Sequence, residues 1–407
     1  MEAADGGGAC VLAAVTGELT DAPGVVLGAL DDIGGLSPGL TLAARDRAPL
    51  ILLTDTHADL ALLSPIVKGG LVVEPADAGH WIAHACNLAL TEPRGPVHVA
   101  CAADVAGQSV LPVAAACRPA PLPAPDDLDV LGAALSATKP VIVTGRECSG
   151  DDARWLRAFA ESLPAPVLTT LKGRGTLAEP HPLSLGFLAS GHPLLAPADL
   201  ALLIGVDATE LPPGALPPAL PLARIGPSPW PEAAPRLGID VVGDIALVIE
   251  ELAPRVKARP AADWDVAGLD RVKRALAAEA VATPSGRLTR VAREATPAGT
   301  IATADVPLGL AWQAVAPRET LTPLGGHAPP GYAILAALAA QLVDPARRVV
   351  AFTTPFGLAA SGDALAMAER LGVPIVVVVL GPAADERAFT RDFAAALAAG
   401  RPIVVGA

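Results

Sequence analysis

The sequence predicts an α/β fold of three parallel-sheet, Rossmann-like domains. Two observations carry this. First, short β-branched apolar runs alternate with helix-length segments, the pattern of strand–helix–strand units. The clearest run is Val373–Leu380, which has no polar member; a strand apolar on both faces belongs in a parallel sheet covered by helices. Second, two proline-rich stretches, Pro112–Asp127 and Pro254–Ala262, read as linkers and divide the chain into blocks at residues 1–111, 128–256 and 263–407.

Composition narrows the function classes. The 407 residues are 52% hydrophobic and 17% charged, with a net charge of −13, which suits packed domains and not a disordered chain. No Lys/Arg cluster or basic–aromatic alternation is present, so no nucleic-acid partner is expected. The start is acidic (Glu2, Asp5) and its one apolar run, Ala9–Val15, is short, so neither a signal peptide nor a membrane span is expected. Five cysteines without CxxC spacing fit reduced thiols in a cytoplasmic protein.

In the first block Gly24–Leu30, Pro49–Thr54 and Pro96–Cys101 read as strands and His80–Leu90 as a helix. In the second, Lys139–Gly145 is a strand ending in glycine, and Asp151–Leu163 a helix with Asp151 or Asp152 as its cap. Pro166–Thr170, Ala198–Asp207 and Gly238–Asp244 supply further strands. Val141, Val167 and Leu203 should then lie on neighbouring strands of one parallel sheet. The third block opens with a helix over Asp270–Ala282. It continues through Ile301–Trp312, the glycine-rich approach Gly325–Pro345, a strand at Val349–Thr353, one helix over Leu358–Leu371, the strand Val373–Leu380, and a closing helix and strand within Asp392–Val405. The loop after Thr353 and the end of the next strand lie together at the carboxyl edge, where open α/β sheets bind ligands.

Several stretches resemble thiamine diphosphate (ThDP)-dependent enzymes of the acetolactate synthase large-subunit type. Asp46–Thr54 (DRAPLILLT) and Glu92–Val99 (EPRGPVHV) resemble the family's pyrimidine-binding domain. Lys139–Gly145 and Leu171–Gly186 (LKGRGTLAEPHPLSLG) resemble its central domain, and Ala346–Pro382 its diphosphate-binding domain. The resemblance implies ThDP with Mg²⁺ as cofactors, FAD or ADP in the central domain of some members, and decarboxylation and carbon–carbon ligation of 2-oxo acids. It places Glu2 at the catalytic glutamate that protonates the aminopyrimidine. It places Gly325, Gly326, Gly331, Thr354 and Gly357 on the cofactor side. The family's cofactor lies between the first domain of one subunit and the third of its mate, so a homodimer or homotetramer is expected.

The chain departs from the family at the chemical positions. The Gly-Asp-Gly and Asn-Asn that hold metal and diphosphate align with Thr354-Pro355-Phe356 and Gly381-Pro382, which offer neither a carboxylate nor a side-chain amide. The usual His-Gln aligns with Gly309-Leu310, and the Met that bends the cofactor aligns with Pro330. The Gly-Pro-Gly turn aligns with Leu30-Asp31-Asp32, and a loop carrying a cofactor-contacting Gln is shortened near Thr56–Leu60. The first domain is expected to lack a strand and helix upstream of Glu2, leaving a sheet edge unpaired. No metal ligands are assigned. The expectation is weak or absent ThDP binding, with a non-catalytic homologue, either a structural partner subunit or a nucleotide-binding protein, as the alternative to an enzyme.

Other chemistry has little support. No G-x-S-x-G elbow occurs. His80 and His84 share a helix face but have no third ligand at metal spacing, and are read as exposed. His181 and His192, with Lys172 and Arg174, form a candidate anion contact. Gly145–Gly150 is read as a tight strand-to-helix turn and not as a phosphate loop. Asp363 is read as a helix-start carboxylate, and Trp155, Trp230 and Trp312 as packing residues.

Overall fold

The computed structural model describes residues 3, 5–29, 33–55, 60–102, 105, 107, 109–116, 119–256, 262–326, 329–381 and 385–406. Three separate sheets are present, and every strand pairing within them is parallel.

The first sheet holds β1 (Gly24–Gly28), β2 (Leu50–Thr54), β3 (Gly69–Val72) and β4 (Pro96–Ala100) in the order β1-β2-β4-β3. Helices α1 (Gly6–Thr20) and α2 (Ile33–Arg45) cover the face that carries Val26, Leu50 and Leu52; α3 (Ala78–Leu90) covers the face of Ile51, Val97 and Val99. Asp5 starts α1, its side chain accepting the Gly8 N–H at 2.6 Å. β1 is the sheet edge, and Val25 and Leu27 on its outer face are exposed.

The second sheet holds β5 (Pro140–Thr144), β6 (Val167–Thr169), β7 (Ser184–Phe187), β8 (Leu200–Ile204), β9 (Leu222–Gly226) and β10 (Ile239–Val242), ordered β10-β9-β8-β5-β6-β7. One face packs Ile142, Leu202 and Ile204 against α4 (Pro125–Ala134), α5 (Asp151–Ser162) and α6 (Ile245–Val256). The other packs Val141, Val143 and Leu203 against Leu269 of α7 (Val266–Ala280). Val141, Val167 and Leu203 do sit on neighbouring parallel strands, since β5 pairs with both β6 and β8.

The third sheet holds β11 (Ile301–Ala304), β12 (Thr320–Leu321), β13 (Val349–Thr353), β14 (Val376–Val379) and β15 (Ile403–Gly406), ordered β12-β11-β13-β14-β15. Its helices are α8 (Pro284–Glu294), α9 (Tyr332–Val343), α10 (Pro355–Ala360), α11 (Gly362–Leu371) and α12 (Glu386–Ala398). α9 is apolar on nearly all faces and buried over most of its length, with Leu342 exposed near its end. It lies on β11 and β13 and also meets α1, so Val11, Leu12 and Val15 of the first domain share one core with Ile334 and Leu338 of the third.

The structure corrects several sequence expectations. Neither Asp151 nor Asp152 caps α5. Gly150, at φ +56°, makes the turn, and the two carboxylates lie inside the first helical turn, where they favour the positive end of the helix dipole. The helix expected over Leu358–Leu371 is two helices. Ser361 breaks it by donating its hydroxyl back to the Gly357 carbonyl at 2.5 Å, in competition with the helical ladder. The second linker starts later than expected: Pro254 sits in the last turn of α6, and burial of Leu252 and Val256 carries the helix past it. The first linker ends sooner, because Pro125 is already at the start of α4. Trp155 is partly exposed on α5, whereas Trp312 is fully buried.

Candidate functional site: the carboxyl edge of the third sheet

The end of β11 delivers Asp305, the end of β13 delivers Thr353 and Thr354, and α9 begins directly after Gly331. These groups satisfy one another. Asp305 Oδ1 accepts the Ala333 N–H in the first turn of α9 at 2.8 Å, and its Oδ2 accepts the Thr353 hydroxyl at 2.5 Å. Thr303 donates to the Ala333 carbonyl at 2.6 Å. Thr354 caps α10 by accepting the Gly357 N–H at 3.1 Å. A carboxylate at the first turn of a helix meets unpaired amides and the positive dipole end, as a bound anion would.

The two glycines at the centre are there for want of space. Gly331 takes φ +82°, and a Cβ on it would run into the Ser361 hydroxyl. A Cβ on Gly357 would run into the Thr353 hydroxyl and the Asp305 carboxylate. Of the residues assigned from sequence, Gly331, Thr354 and Gly357 are therefore gathered at one point. Gly325 and Gly326 lie apart in a short 3-10 turn after β12, at the junction where the Leu324 N–H donates to Asp46 Oδ1 at 2.9 Å. Glu2 and Pro382 lie outside the described residues. Sequence reasoning missed Asp305 and Ser361 as site residues. Asp305 stood inside the quoted Ile301–Trp312 stretch, and Ser361 was hidden within the assumed single helix.

The carboxyl edge of the second sheet is filled in the same manner. Buried Glu210 accepts the Arg146 N–H at 3.1 Å, the Asp207 N–H at 2.9 Å and the Thr170 hydroxyl at 2.5 Å, holding the Gly145–Gly150 turn. Burial pushes its carboxyl up to about 7, against the Thr170 hydrogen bond. The proposed anion contact is not assembled. Lys172 is paired with Asp46 at 2.7 Å and Glu18 at 3.0 Å, and Arg174 with Glu179 at 2.7 Å. His181 faces Glu161, and His192 bonds the Leu185 carbonyl and the Leu194 amide. The cations of this loop are spent on carboxylates that tie domains together. His80 and His84 are exposed on α3, and Asp363 is an exposed residue of the first turn of α11.

Comparison with known proteins agrees with this architecture. The thiamine pyrophosphate enzyme central domain matches residues 130–252, and the C-terminal TPP binding domain of the same enzymes matches residues 305–381. The chain carries two domains of the ThDP-dependent enzyme type. It is similar to the acetolactate synthase isozyme 1 large subunit of Escherichia coli, 29% identical over 60% of this chain and 46% of that one. It is also similar to the acetolactate synthase large subunit of Parasynechococcus marenigrum, 26% identical over 85% of this chain and 63% of that one. The chain thus spans between about half and just under two thirds of the length of these relatives. In fold it matches a benzoylformate decarboxylase from Polynucleobacter necessarius, with a TM-score of 0.78 and 18% identity over 99% of this chain and 90% of that one.

The residues at the third sheet's edge do not fit a metal-held diphosphate. Among the described residues no group of three or more His, Cys, Asp or Glu side chains is placed to hold a metal ion. The carboxylate nearest the strand ends, Asp305, has both oxygens engaged by the protein's own donors. The space above Gly331 is taken by Ser361, and the first residue of α10 is a proline that has no N–H to give.

Proposed function

We propose that this chain is a non-catalytic homologue of ThDP-dependent enzymes whose diphosphate-type domain serves as a structural element, in the manner of a partner subunit. The observation that carries this reading is that Asp305 is taken up by the Ala333 N–H and the Thr353 hydroxyl, and Ser361 by the Gly357 carbonyl, where a diphosphate would need free donors and a metal. The exposed side chains of Val306 and Phe356 beside these groups offer an apolar face for another subunit, and a homodimer or homotetramer is the assembly proposed. Calorimetric titration with ThDP and Mg²⁺ is the test. No heat of binding is expected up to millimolar cofactor. Micromolar binding abolished by EDTA would mean that a relocated metal site exists and would overturn the reading.

The second reading is an acetolactate-synthase-like enzyme acting on 2-oxo acids. It is favoured by similarity to acetolactate synthase large subunits over as much as 85% of the chain. Pyruvate consumption by the purified chain with ThDP and Mg²⁺ decides for it; the structural reading expects none.

A further inference from the structure

The second sheet reverses its strand order between β5 and β8. From β5 the chain steps outward through β6 and β7, returns to β8 on the other side of β5, and steps outward again through β9 and β10. The carboxyl ends of β5 and β8 therefore flank the topological switch point, the crevice in which an open α/β sheet takes a ligand. The turn after β5 lies in this crevice and leads to the amino end of α5, where a phosphate group would find backbone N–H donors. The FAD or ADP that the family resemblance implies for some members would need its diphosphate at such a turn.

A carboxylate of the chain itself holds that position. Glu210 is 3% exposed. Its two oxygens share the Arg146 N–H of the β5–α5 turn, each at 3.1 Å. Oε1 also accepts the Thr170 hydroxyl, just after β6, at 2.5 Å, and Oε2 accepts the Asp207 N–H, after β8, at 2.9 Å. All three partners donate, as they would to a phosphate oxygen. Gly145 permits the close approach: a Cβ on it would stand 2.5 Å from Glu210 Oε2. A capping box at the 3-10 turn Ala208–Glu210 accounts for the bond to the Asp207 N–H. It does not account for the bonds to Arg146 and Thr170, which follow two other strands of the sheet.

The first domain roofs this crevice. Arg47 pairs with Asp207 at 3.1 Å, the Arg146 guanidinium donates to the Arg47 carbonyl at 3.0 Å, and the Thr209 hydroxyl donates to the Arg45 carbonyl at 3.2 Å. Asp151 and Asp152 in the first turn of α5 add negative charge at the helix end that an incoming anion would seek.

We propose that Glu210 is a resident anion: its carboxylate occupies the phosphate seat of the switch-point crevice, so that the second domain takes no nucleotide and uses the seat to fasten the loops after β5, β6 and β8 to one another. Glu210 and its three donors all belong to the second domain, so the function of the third domain is independent of this assignment.

Calorimetric titration of the whole chain with ADP and with inorganic pyrophosphate tests it, at a pH on the alkaline side of the value of about 7 to which burial lifts the Glu210 carboxyl. The wild-type chain should bind neither at millimolar concentration. Glu210→Ala removes the resident carboxylate and leaves its donors in place; it should bind pyrophosphate at least about tenfold more tightly than the wild type. Its Tm should also rise with pyrophosphate by more than that of the wild type. Glu210→Gln, which keeps the seat filled, should show no such gain. Wild-type binding of ADP or pyrophosphate below millimolar Kd overturns the proposal. So does a folded Glu210→Ala that binds pyrophosphate no better than the wild type, or an equal gain in Glu210→Gln. If Glu210→Ala does not fold in buffer alone, pyrophosphate should restore its fold where chloride of equal ionic strength does not, and failure of that rescue overturns the proposal as well.

Discussion

Lys172→Met should destabilise the chain more than any single ion-pair loss on its surface. The Lys172 side chain is 1% exposed and sits where all three domains meet. It pairs with Glu18 on α1 and with Asp46 after α2, and Asp46 in turn accepts the Leu324 N–H of the third domain. Burial pulls the ammonium down, but the charges of Asp46 and Glu18 more than reverse this and hold it above the ordinary lysine range. Methionine fills the volume but leaves two carboxylates without a cation. Glu18 is 18% exposed and keeps some water, whereas Asp46 at 3% has none, so the penalty falls mainly on Asp46. Breaking a buried pair from one side costs about 3–5 kcal/mol. Urea unfolding followed by fluorescence of buried Trp312 measures it. Lys172→Met combined with Asp46→Asn should recover more than half of the loss, because an Asn carbonyl can still accept the Leu324 N–H while the stranded charge is gone. A loss below about 1 kcal/mol, the scale of exposed pairs, or a double variant no better than the single one, would refute the assignment of Lys172 as the hub of the junction.

Two further outcomes follow from the same contacts. Gly331→Ala should cost about 2–4 kcal/mol by urea unfolding, from the left-handed φ and from the clash with Ser361, and Ser361→Gly should restore only the clash part. Burial pushes the Asp21 carboxyl up, but hydrogen bonds from Arg318 and Arg94 outweigh it and hold it down to about 2. Its contribution is present above the ordinary carboxylate value and is lost as pH falls toward 2. Because Asp21 is half exposed, Asp21→Asn should cost less than about 1 kcal/mol near neutral pH and almost nothing in high salt.

The strands that were legible in the sequence are those with two buried faces. Val141–Val143, Leu200–Ile204 and Val376–Val379 carry unbroken apolar runs, and each lies inside a sheet. Strands missed were short or disguised. Ser184–Phe187 reads as loop because of its serine and glycine, and Leu222–Gly226 contains Arg224, an arginine kept in the core by Glu147, Asp240 and two carbonyls. The site was half legible for a related reason. The departure from the family pattern is visible in sequence, since Pro355 and Gly381 offer neither a carboxylate nor a side-chain amide. What occupies the sheet edge is not visible, because the Asp305–Ala333 bond joins residues far apart in the chain and depends on where α9 begins.

The apolar surplus of the composition has a use inside the chain. α1 and α9 are apolar on nearly all faces, a pattern that in sequence points to surfaces waiting for another subunit. Here each takes the other as its partner, so that Val11, Leu12 and Val15 are buried with Ile334 and Leu338 in one core. Composition alone is therefore no argument for assembly: the helices that produce the surplus are already covered. Whatever holds a second copy must use side chains left outside, such as Leu27 on the β1 edge, 81% exposed, or Phe356 at the start of α10, 72% exposed. Phe356 stands next to Gly357 at the carboxyl edge of the third sheet. An exposed aromatic side chain at that edge suits contact with protein better than contact with a charged cofactor, in keeping with the function proposed above.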